Sequence, residues 1–152
     1  MTEASARQPI LDVRDLSVSF ETQDGRVEAV KKLSFDVARG ECLGLVGESG
    51  SGKSQTVLAA MGLTAANGIV EGSIKFDGIE MTGLDRKQFN DIRGARMAMI
   101  FQDPLTSLTS HMTVGAQMAE VLARHKKMKG AEAEKRIVEW LERVRIPEAR
   151  RR

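Results

Sequence analysis

The chain has 152 residues, 41% of them hydrophobic and 29% charged, a balance that suits one globular domain rather than a disordered or fibrous chain. Lys and Arg number 23 against 21 Asp and Glu, and a net charge of +2 is too small to argue for a nucleic-acid partner. No run approaches the roughly 20 apolar residues of a membrane span, and Met1 to Arg7 lack the apolar stretch of a secretory signal, so no transmembrane segment of its own is expected.

Residues 10–20 alternate, with Leu11, Val13, Leu16, Val18 and Phe20 set against polar neighbours, which predicts a strand with one buried face. Asp24-Gly25 is a turn signal, residues 27–37 alternate again, and the first 38 residues are expected to form an antiparallel hairpin. Residues 42–46 are apolar throughout, as a central parallel strand of an α/β sheet would be. Cys42 lies within this run and is expected to be a small buried hydrophobe. It has no second cysteine to pair with, which fits a reducing cytoplasm.

A glycine-rich loop then leads into a predicted helix over 55–63. Residues 72–76 read as a short strand, Asp77-Gly78 as a turn, 86–92 as a helix and 97–101 as a second fully apolar strand, closed by Pro104. From about residue 106 the chain reads as helical. Val114, Met118, Val121 and Leu122 recur at helical spacing, as do Ala133, Ile137, Leu141 and Val144, with residues 126–130 as the link. Arg150 to Arg152 follow a helix when only two buried strands have appeared, so the parallel sheet is expected to be truncated.

Gly47-Glu48-Ser49-Gly50-Ser51-Gly52-Lys53-Ser54 has the P-loop pattern of Gly, four residues, Gly, Lys, then Ser or Thr. Its glycines permit backbone angles that turn successive N–H groups toward phosphate oxygens, and the following helix adds its N-terminal amides and dipole. Lys53 is expected to reach the β and γ phosphates, and Ser54 to offer its hydroxyl to Mg²⁺. The alternative is a chance glycine-rich turn, which would have no reason to fall between an apolar strand and a helix. After the second apolar strand come Gln102 and Asp103. Either Asp103 is a strand-end carboxylate for Mg²⁺, as in a small self-contained kinase, or Gln102 is the acting residue.

Gly47 to Ser54 followed by Gln55-Thr56, then Asn67-Gly68, then residues 100–108 (Ile-Phe-Gln-Asp-Pro-Leu-Thr-Ser-Leu), resembles the ATP-binding subunits of bacterial oligopeptide and dipeptide ABC importers. The likeness runs from Leu11 to Arg150. It implies an α/β P-loop NTPase core with an N-terminal antiparallel β-subdomain (about 9–105) and the start of a helical subdomain (about 106–152). It implies ATP and Mg²⁺ as cofactors, and Gln102 as the glutamine that serves Mg²⁺ or the attacking water and senses the transmembrane subunits. Transmembrane permease subunits and a second ATP-binding subunit are the implied partners, at the cytoplasmic face of the inner membrane, with peptides or similar small solutes as cargo.

Phe20 stands where the family places an aromatic ring on adenine, although its alternation with Val18 and Leu16 reads equally as core. The family's Leu-Ser-Gly-Gly signature, later Walker B carboxylates and switch histidine do not occur in the 152 residues, so hydrolysis by this chain alone is expected to be slow or absent. Its usual Asn-Pro after Ser-Leu is Thr109-Ser110 here. A third reading is a non-catalytic remnant that binds a partner through its helices. His111 and His125 lack acidic or cysteine partners at ligand spacing and are expected at the surface, as are the basic residues Arg124, Lys126, Lys127 and Lys129.

Overall fold

The computed structural model describes residues 8–103 and 107–148. Pro104, Leu105, Thr106 and the three terminal arginines therefore lie outside the described residues. The chain divides into two compact units, Met1–Asp91 and Ile92–Arg152.

The first unit is built on an antiparallel hairpin, β1 (Leu11–Thr22) and β2 (Gly25–Val37), with Thr22 paired to Gly25 across the expected turn. The Thr22 hydroxyl donates to the Gly25 carbonyl at 2.6 Å and ties the turn shut. β3 (Gly68–Phe76) pairs antiparallel with the other edge of β1, and the short β4 (Ile79–Glu80) follows it, giving the order β2-β1-β3-β4. Val13, Leu16, Val18, Ile74 and Met81 are almost wholly buried and form the core of this unit.

The pairing is interrupted where Asp15 and Lys32 both take positive φ. Each strand mends the other's gap. The Asp15 N–H donates to the Ser34 hydroxyl at 2.8 Å, and the Lys32 N–H to the Ser17 hydroxyl at 3.1 Å. On the third strand Gly72 faces the same irregularity, and a Cβ there would meet the Arg14 and Asp15 carbonyl oxygens at 2.7 and 2.6 Å. Bulges of this kind raise the local twist, which curls the sheet.

Helix α1 (Lys53–Ala60) buries Thr56, Ala59 and Ala60 and packs on β1 and β2. Helix α2 (Arg86–Ile92) has the predicted bounds. The Asp85 carboxylate accepts from the Gln88 N–H at 2.8 Å, while Gln88 accepts from the Asp85 N–H at 2.9 Å, a reciprocal cap that starts the helix.

The second unit contains α3 (Val114–Lys126) and α4 (Gly130–Arg143), joined across the expected link. Ile137 and Leu141 pack against Val114, Met118, Ala119 and Leu122. The Thr113 hydroxyl accepts from the Ala116 N–H at 3.1 Å and caps α3. Two positions assigned to this core are exposed instead. Val121 lies on the flank away from α4, and Val144 follows the last helical residue, so neither points at the seam.

The two fully apolar segments are also corrected. Residues 42–46 and 98–101 have no strand pairing, and Val46 and Ile100 are about nine-tenths exposed (93% and 90%). A parallel strand exists only through its neighbours, and among the described residues the single parallel pairing is an isolated bridge from Arg93 to Met97. Cys42, expected buried, is exposed for the same reason. His125 is corrected in the opposite direction: it is half-buried, its ring lying over Gly94, whereas His111 is exposed.

Candidate functional site

The loop Gly47 to Ser54 runs from the unpaired segment into the first turn of α1. Lys53 opens the helix and folds back over the loop. Its ammonium group donates to the Gly47 carbonyl at 2.8 Å, the Glu48 carbonyl at 2.6 Å and the Ser51 hydroxyl at 3.2 Å. All three N–H bonds of the ammonium thus have acceptors on the loop. The Ser51 N–H donates to the Glu48 carbonyl at 3.3 Å, closing the loop's outer turn.

The inner wall is set by Gly52, at φ +86° as the N-cap of α1. A Cβ at this position would meet the Ala29 carbonyl oxygen at 2.2 Å and Val30 Cγ2 at 3.1 Å. Only glycine fits, by conformation and by space together. The Gly52 carbonyl accepts from both the N–H and the hydroxyl of the buried Thr56, at 2.9 and 3.1 Å.

No side chain caps the N-terminus of α1, and its first turn holds no acidic residue. No capping side chain or first-turn carboxylate therefore competes for the helix amides and dipole, which is how a phosphate is received. Ser54 is exposed in this first turn, so its hydroxyl is available to a cation held by such a phosphate. The loop residues fit a phosphate-bearing ligand and its metal ion on these grounds.

Among the predicted residues, the structure joins Gly47, Glu48, Ser51 and Lys53 in one hydrogen-bonded cradle, with Gly50 supplying a positive φ at its tip and Gly52 bonded to Thr56 at the start of the helix. Ser49 is exposed on the same turn. Phe20 is half-buried at the end of β1 and lies against Gly68, where an added Cβ would come within 2.9 Å of its ring. Gln102 and Asp103 are exposed on a bend in the second unit.

Two contributors escaped sequence reasoning. The Ala29 carbonyl that backs Gly52 leaves no trace in residue identity. Thr56, a polar residue among the apolar positions of α1, was a readable signal of a hydroxyl with a buried partner.

Comparison with known proteins gives the family of the chain. The oligopeptide transport ATP-binding protein OppD of Escherichia coli strain K12 is 52% identical over 143 residues, covering 94% of this chain and 42% of the relative. The dipeptide transport ATP-binding protein DppD of Lactococcus lactis subsp. cremoris is 45% identical over 146 residues, covering 95% of this chain and 42% of the relative. The chain thus spans less than half the length of these curated relatives. Its fold is similar to the dimeric structure of MJ0796, a bacterial ABC transporter cassette, with a TM-score of 0.74 at 23% identity over 87% of this chain and 56% of that one. The family model described as ABC transporter matches residues 30–152, and the chain belongs to that family.

Proposed function

We propose that the chain supplies the Mg-ATP phosphate site of an ATP-binding subunit that drives import of peptides or similar small solutes, working with permease subunits and a second ATP-binding subunit. The observation that carries this reading is the cradle of Lys53 over Gly47, Glu48 and Ser51 at the uncapped start of α1. In it the loop amides and Lys53 bind the phosphates, Ser54 and Gln102 serve Mg²⁺, Gln102 also orients the attacking water, and Phe20 offers its ring to the base. Bound Mg²⁺ would neutralise phosphate charge. The names of the relatives support ATP and peptides as ligand and cargo, and a peripheral place on the inner face of the membrane follows from that role.

The 152 residues contain no Leu-Ser-Gly-Gly segment, and on this reading the chain by itself binds Mg-ATP without turning it over. Family membership leaves little ground for the kinase reading, in which Asp103 holds the metal. One observation favours a partner-binding chain without useful nucleotide binding. Within the first unit, Leu43, Leu45 and Val46 are exposed apolar residues close together in sequence, the kind of local patch that a partner can cover.

Melting with and without Mg-ATP separates the two. A ligand that binds only the folded state at about 100 times its Kd adds about 2.7 kcal/mol of stability. The wild type is expected to melt higher with Mg-ATP and the Lys53→Ala variant not to respond. A melting temperature indifferent to Mg-ATP in the wild type would sink the nucleotide reading.

A further inference from the structure

We propose that Asn67 is a positioning residue for Phe20, its side-chain amide holding the end of β1 while the bare backbone of Gly68 seats the ring. The inference rests on the reading of Phe20 given above, and every residue in it belongs to the first unit. The β1–β3 pairing ends where Phe20 stands opposite Gly68, the first residue of β3. Asn67 carries the ladder one step further. The Glu21 N–H donates to the Asn67 carbonyl at 3.0 Å, and Asn67 Nδ2 donates to the Glu21 carbonyl at 2.9 Å. One residue thereby engages both backbone groups of Glu21, as a paired strand would. On its other side this end of β1 pairs with β2, Phe20 with Val27 and Glu21 with Arg26. A two-stranded end is weakly fixed by itself, and the Asn67 amide supplies the hold of a third strand where β3 has run out.

Gly68 acts on the ring itself. Its φ is not positive, so conformation does not call for glycine here. Space does. An added Cβ would meet Phe20 Cε1 at 2.9 Å, the Thr64 methyl carbon, and the Ala65 carbonyl oxygen at 3.1 Å. The ring thus lies against backbone alone, and a side chain at 68 has to displace either the ring or Thr64, whose β-branched side chain is stiff.

The sheet register relates this ring to the phosphate loop. Val30, whose side chain lies by Gly52, pairs with Val18, and Phe20 is two residues further along β1, about 7 Å at the usual strand rise. Ring and loop are therefore backed by the same stretch of sheet. Freeing the end of β1 would widen the range of positions open to the ring. Phosphate binding by the Lys53 loop would be untouched, but the part of ATP affinity that depends on the base would fall.

The test compares affinity for Mg-ATP with affinity for Mg-tripolyphosphate, a probe that has the phosphates and no base. It is made on the wild type, Phe20→Ala, Asn67→Ala and the double variant, each checked for a cooperative melt. Asn67→Ala is expected to keep the tripolyphosphate affinity and to lose about threefold of the gain of ATP over tripolyphosphate, the scale of one hydrogen bond. In that gain the double variant should be no worse than Phe20→Ala. A general loss of stability would lower both affinities together and leave their ratio unchanged. Gly68→Ala gives a second readout: with no φ strain to weaken the fold, it should lose part of the same gain by displacing the ring. If Asn67→Ala does not melt cooperatively, Gly68→Ala decides alone. An unchanged ratio in the deciding variant, or losses that add in the double variant, overturns the inference and leaves the site reading intact. A Phe20→Ala variant that keeps the full gain overturns the reading of Phe20 and this inference with it. A wild type that binds neither ligand overturns the nucleotide reading as well.

Discussion

Lys53 holds the phosphate loop in shape by spending every donor it has on that loop, and a phosphate oxygen entering the cradle takes over some of those bonds rather than forming them from nothing. Removing the ammonium at Lys53→Ala should therefore cost twice, in loop order and in anion affinity, and the lost melting response described above is its signature. Gly52 predicts a different failure. A side chain at φ +86° costs about 1–3 kcal/mol from conformation alone, before the contact with the Ala29 carbonyl at 2.2 Å is counted. Gly52→Ala, blocked by a backbone carbonyl that cannot move aside, is expected to lower the melting temperature in the absence of nucleotide by more than Gly47→Ala, whose nearest obstruction is the Ser51 hydroxyl at 2.6 Å although its φ of +159° also disfavours a side chain. Equal melting of the two would contradict this account.

At the scale of elements, local signals were legible and non-local ones were not. The hairpin, its Asp24-Gly25 turn, α2 and the α3–α4 pair follow from turn chemistry and period, because each is decided by residues close in sequence. Residues 42–46 carry the composition of a central strand, yet a strand is a relation between segments, and its neighbours cannot be read from its own residues. The P-loop was legible for the opposite reason, since eight consecutive residues hold nearly all its chemistry; the wall behind it, lent by Ala29, was not.

Two expectations belong at this scale. Thr113→Ala removes the α3 cap and should cost about 1 kcal/mol, seen as a small fall in melting temperature with the Mg-ATP response retained. Glu80 fastens β3 to β4. Partial burial raises its pKa, but hydrogen bonds from the Ser73 hydroxyl and the Ile74 and Thr82 amides outweigh this and hold it below the ordinary 4.5. The folded carboxyl then ionises at lower pH than the unfolded one. Its contribution is present above about 4.5 and drains away as pH falls through the folded value. The wild type should lose stability on acidification through that range more steeply than Glu80→Gln, and parallel acid limbs would refute it.

For the whole molecule, the proposed function predicts that binding and turnover come apart. The cradle is complete within the first unit, while the 152 residues hold none of the later motifs that its family uses for hydrolysis. Phosphate release from Mg-ATP by the purified chain is expected to match that of Lys53→Ala, even where the two differ in binding. Robust turnover that Lys53→Ala abolishes would show that the chain needs no more than it has.

The Ala29 carbonyl behind Gly52 has a consequence for how variants of this protein are interpreted. β2 carries none of the phosphate loop's motif, yet its backbone at Ala29, with the Val30 side chain beside it, sets how near that loop can lie. An insertion or proline that shifts the strand at Ala29 would be scored as a change in a remote surface hairpin. Its effect would be that of a lesion in the P-loop, with the motif itself intact.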